Sequence, residues 1–212
     1  MKIKTLASAA CWLSLLALIS VIPGSAQDRT LAHFSGLLND YSPSTVKGGP
    51  WEMHGQWSLD FNEVKHNKAL TFDFSADMTM SDYGMTAGLP DATKGGQSPH
   101  THHIEVTKGT ITWNMDGCPA VSPATLQGFQ INGPVSLITG NGSNAPFETT
   151  PPSSTVQICV TGGDDVKYSV PISNISLVFS GPATMHFGSQ AIHGVVHLGS
   201  IDKLLIDLGS MR

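Results

Sequence analysis

Charge is scarce in this sequence: Asp, Glu, Lys and Arg make up 13% of its 212 residues and leave a formal net charge of −5. Such a balance lacks the basic face of a nucleic-acid binder and the charge density of a disordered chain. Helical spacing is also nearly absent, and 22 Gly and 13 Pro interrupt the chain too often for a coiled coil or a helical bundle. There is no Gly-x-Ser-x-Gly elbow, no phosphate-binding loop and no dinucleotide fingerprint. Glu52, Glu63, Glu105 and Glu148 are too scattered to be read as a glycosidase carboxylate pair.

The first 26 residues differ from the rest. Lys2 and Lys4 precede an apolar run from Leu6 to Ile22, followed by Pro23, Gly24, Ser25 and Ala26. A basic start, an apolar middle and a small-residue exit predict a secretory signal peptide cleaved after Ala26. No later stretch is long and apolar enough to cross a membrane, so the processed chain is expected to leave the membrane as one domain, residues 27–212. Removing the leader takes away two lysines and no acids, which moves the net charge to −7.

Three cysteines are present, and only Cys118 and Cys159 lie beyond the leader. An even pair in an exported chain predicts a disulfide, whereas thiolate metal sites usually bring their cysteines in close pairs.

The rest of the chain is read as strands. Trp57, Leu59 and Phe61 alternate with polar residues, as do Leu70, Phe72 and Phe74, and the polar stretch between them predicts a hairpin. Further short runs at 104–106, 111–115, 129–131, 135–137, 156–160, 166–172, 175–179 and 192–198 bring the total to about ten strands. Gly-rich and Asn-Gly turns separate them, and two longer loops are expected at 82–99 and 140–154. Ile201, Leu204, Leu205 and Leu208 have helical spacing but would also suit a last strand. The fold class is therefore all-β: a single-domain antiparallel barrel or sandwich of eight to ten strands, with a possible short C-terminal helix.

Histidine is what the sequence has in excess. Six of its nine histidines fall in two groups: His100, His102 and His103, then His186, His193 and His197. On a strand His100 and His102 share one face, continued by Ile104 and Val106, while His103 and Glu105 share the other. Two imidazoles so placed can bind one metal ion when another element supplies further ligands. The expected metal set is His100 and His102 with some of His186, His193 and His197, for zinc or copper. His33, His54 and His66 lack neighbouring partners and are read as structural or exposed.

Two alternatives stand beside this reading. In one, His102 or His193 is a general acid or base beside Glu105 or Tyr168 in an enzyme pocket. In the other, Trp51 and Trp57, with Tyr168, form a carbohydrate- or protein-binding platform, although paired tryptophans in a Gly-rich strand entry more often plug a β core. Asp164 and Asp165 after two glycines are read as a solvated turn rather than a calcium site. The expected partner is thus a small molecule or metal ion, not nucleic acid.

Overall fold

A computed structural model of the chain describes residues 29–46, 49–64, 69–82, 99–119, 127–141, 154–162, 164–165, 170–171 and 174–199, with 204 and 208. The expected leader, Tyr168, His66 and most of the two long loops lie outside these residues. The expectation of an all-β chain holds. Ten antiparallel strands form one sheet in the order β5 (Thr110–Thr112), β6 (Gln127–Pro134), β8 (Thr155–Gly162), β11 (Asn174–Ser180), β12 (Ile192–Leu198), β1 (Arg29–Tyr41), β2 (Trp51–Val64), β3 (Ala69–Asp82), β4 (His100–Val106) and β7 (Leu137–Asn141). Asp164–Asp165, expected as a turn, is the short strand β9, paired with β10 (Val170–Pro171).

The connection between β6 and β7 requires this sheet to curl. Laid flat, these strands would lie roughly 38 Å apart at the usual inter-strand spacing. Only Val135 and Ser136 join them, and such a link spans about 11 Å at most. The Val135 N–H donates to Ser154 O at 3.0 Å and the Ser136 N–H donates to Glu105 O at 2.8 Å, so the link is tied to both halves of the sheet. The sheet is accordingly a curled half-barrel. Phe34 and Phe61, from β1 and β2, meet Phe129 of β6 across its interior, with ring centroids 5.5 and 5.1 Å away.

Period-two patterning fills that interior as expected. Phe72, Phe74, Ala76, Met78 and Met80 of β3 point inward, as do Trp57, Leu59 and Phe61 of β2, and the two strands pair without a break from Trp51↔Asp82 to Val64↔Ala69. Strand β1 is not apparent from alternation because its pairing with β2 shifts register between Thr30 and Ala32. That bulge inserts Leu31 as an extra residue between Thr30, opposite Asn62, and Ala32, opposite the inward Phe61, so the inward set of Ala32 and Phe34 is out of step with Thr30. Gly36 also matters here: a Cβ would collide with the Val195 carbonyl of β12, which accepts a hydrogen bond from the buried Trp57 indole at 3.2 Å.

Strand β5 stops at Thr112, short of the expected residue 115. The chain turns there through Cys118 N–H to Met115 O, and Cys118 is bonded to Cys159 of β8. Gln130 holds the same segment through Asn114 Oδ1 and Asp116 O, both at 2.9 Å. Of the C-terminal segment, Leu204 and Leu208 are helical, and Leu204 is buried in the core. Among the described residues no helix is long and apolar enough to cross a membrane.

Candidate metal centre

Strand β4 alternates strictly, with His100, His102, Ile104 and Val106 inward and Thr101, His103 and Glu105 outward. This sets two imidazoles two residues apart on the core face. A third comes from the connection between β11 and β12, whose sequence is Gly181-Pro182-Ala183-Thr184-Met185-His186-Phe187-Gly188. Gly181–Ala183 forms a 3-10 turn with Pro182 in its first positions, and Thr184–Phe187 forms a single helical turn, α1. Ser154 Oγ accepts a hydrogen bond from the Ala183 N–H at 3.1 Å, and Gly188, at φ +86°, ends the turn. The turn directs Met185 outward and His186 and Phe187 inward.

The three imidazoles converge through their Nε2 atoms. His186 Nε2 lies 2.8 Å from His102 Nε2 and 3.1 Å from His100 Nε2. Each residue offers a ligand atom within 4.8 Å of the others. At a nitrogen–metal distance of about 2.05 Å, separations of 2.8 and 3.1 Å correspond to angles of roughly 85 and 100° at the metal, within the range of four-coordinate geometry.

His102 Nδ1 lies 2.9 Å from the Thr139 carbonyl. A carbonyl only accepts, so Nδ1 carries the proton and Nε2 of the neutral ring presents its lone pair to the cluster, the arrangement that orients metal-binding histidines. Trp51 packs edge-on to His100 with centroids 5.0 Å apart, and Phe187 packs against His102 at 5.1 Å.

The surroundings keep the His102 and His186 rings neutral. His100, His102 and His186 are only 3, 1 and 4% exposed. Burial, reinforced by His100, pushes His102 down to about 4 against the opposing pull of the Thr139 carbonyl. Burial, with His102 and His100 adding to it, pushes His186 down to about 3. Neutral imidazole is the form that binds a metal.

The other expected ligands lie elsewhere. His193 and His197 share a face, as a four-residue spacing on a strand requires, but it is the outer one, because Ile192 takes the core position in β12. His193 Nδ1 is 2.7 Å from Asp40 Oδ2. His197 is exposed and lines an outer hollow with Gln56 and Asp77.

The acid–base partners also separate. Glu105 lies on the outer face and pairs with His103 Nε2 at 3.1 Å, while Asp77 pairs with His103 Nδ1 at 2.7 Å. Asp77 first, then Glu105, raises His103 above its ordinary value. Trp51 and Trp57, both 2% exposed, are core residues with no ring face open to a sugar. His33 and His54, read as structural or exposed, are held on the outer face by Asp60 and Glu52.

Thr139, Phe187 and the methionines of β3 had no motif to mark them; strand register places Thr139 and the methionines beside the cluster, and the helical turn α1 places Phe187 there. Comparison of the chain with protein-family models, with characterised proteins and with solved structures finds no match in any of the three, so the assignment rests on geometry.

Proposed function

We propose that this chain is an exported β-domain that binds one transition-metal ion, zinc or copper, through His100, His102 and His186. The observation that carries this reading is the convergence of three buried Nε2 atoms, one of them oriented by a backbone carbonyl. Export is supported by the basic–apolar–small pattern of residues 1–26 and by the Cys118–Cys159 bond, which suits an oxidising compartment. Residues 27–212 are read as the processed single domain. The burial of the three rings favours holding a metal over exposing it to a substrate.

Metal analysis tests this after the full processed protein is loaded with zinc or copper and desalted. One equivalent is expected in the wild type and in His193→Ala, with loss of the metal in His102→Ala and His186→Ala. No stoichiometric metal in the wild type, or its loss in His193→Ala alone, would overturn the assignment. N-terminal sequencing of the exported protein is expected to begin at Gln27; a retained Met1 would refute the cleavage.

A further inference from the structure

The ligands around the cluster are all neutral, unlike the thiolate or carboxylate sets by which many zinc sites offset the charge of the ion. Among the described residues, no Asp, Glu or Cys joins His100, His102 and His186. Glu52, the buried acid nearest in sequence to Trp51, is held by His54 Nε2 at 2.8 Å.

Sulfur is present instead. Met80 is the cross-strand partner of His100, and Met78 is the partner of His102. Met53 of β2 is in turn the partner of Met80. Directly opposed residues on antiparallel strands point to the same face with Cβ atoms about 5 Å apart. Met53, Met78 and Met80 are 0, 1 and 0% exposed, so three thioethers occupy the same buried layer as the imidazoles.

We infer that the site is built for copper(I), with a thioether from Met78 or Met80 joining the three imidazoles as a ligand. This deepens the metal-binding reading above and rests on it. Two physical effects support it. Thioethers are soft ligands that select Cu(I), whereas zinc sites draw on thiolate, imidazole and carboxylate. In addition, neutral ligands leave the full charge of the ion buried, and the cost of desolvating an ion grows with the square of its charge. A monovalent ion thus carries about a quarter of the penalty of a divalent one in the same cavity. No redox step is implied; the site receives the ion already reduced.

The experiment compares wild type with the Met78→Leu/Met80→Leu double variant, a near volume-conserving exchange that keeps the core filled. Both proteins, processed and otherwise intact, are titrated anaerobically with Cu(I) against a colorimetric Cu(I) chelator, and separately with Zn(II) against a zinc chelator. Equal thermal midpoints of the metal-free proteins confirm that the variant folds. The wild type is expected to bind one Cu(I), at least tenfold more tightly than the variant, with zinc affinity alike in the two. X-ray absorption of the Cu(I)-loaded wild type is expected to show a copper–sulfur bond that the variant lacks.

Equal Cu(I) affinities, or wild-type preference for zinc, would overturn the copper inference while leaving the metal site standing. Failure of the wild type to bind either ion would overturn both.

Discussion

Acidification of the metal-free protein should expose the cost of keeping His102 and His186 neutral. In the folded state His102 titrates near 4 rather than at its ordinary 6.5. Between those values the unfolded chain binds the proton more readily than the folded one. Stability contributed by this group is therefore fully present above 6.5 and is lost progressively as pH falls toward 4. At 1.36 kcal/mol per pH unit, the drop amounts to about 3 kcal/mol for His102, a large part of a typical domain's stability. His186 is displaced in the same direction, so it steepens the fall.

His102→Gln removes the titrating group while its side-chain amide can still donate to Thr139 O. Urea unfolding in EDTA at pH 7.5, 6.5, 5.5 and 4.5 compares the two proteins. Carboxylates common to both cancel in the difference. The variant is expected to be the less stable protein or the equal of wild type at pH 7.5, but to lose about 2 to 3 kcal/mol less on acidification. Parallel pH profiles would refute the reasoning, because they would mean that His102 titrates alike folded and unfolded.

His103 is expected to behave in the opposite sense: Asp77→Asn should lower its titration midpoint toward 6.5, as read by NMR of its ring protons, since Asp77 is the larger cause of its raised value. Reducing the Cys118–Cys159 bond, which closes a span of 41 residues, should cost about 4 kcal/mol by the chain-entropy model, read as a lower urea midpoint with reductant present. Gly36→Ala should destabilise by about 1–3 kcal/mol, because its methyl would push the Val195 carbonyl away from the Trp57 indole. Unchanged chemical denaturation would show that β1 and β12 can separate there without loss.

Much of this was legible in the sequence for local reasons. Alternation is a property of a strand's own residues, so the inward placing of Phe72, Phe74, His100 and His102 follows from period two once a core is assumed. A bulge defeats the same rule, which is why the extra Leu31 ahead of Ala32 and Phe34 conceals β1. Composition and cysteine parity indicated an all-β chain and the Cys118–Cys159 bond. His193 and His197 were placed correctly on a common face, but alternation does not say which face is buried; Ile192 and the packing of β12 against β1 settle it outward.

The sequence by itself therefore determined the strand content, the disulfide and the shared inward direction of His100 and His102. It offered His186 only as one of three possible partners. Tertiary structure decided among them, because the two-residue link between β6 and β7 curls the sheet and the turn ending at Gly188 carries His186 to within 3.1 Å of rings more than eighty residues earlier. The methionine layer was settled in the same way: Met78 and Met80 face His102 and His100 through register between strands, and register depends on pairing across the sheet rather than on any local run of residues.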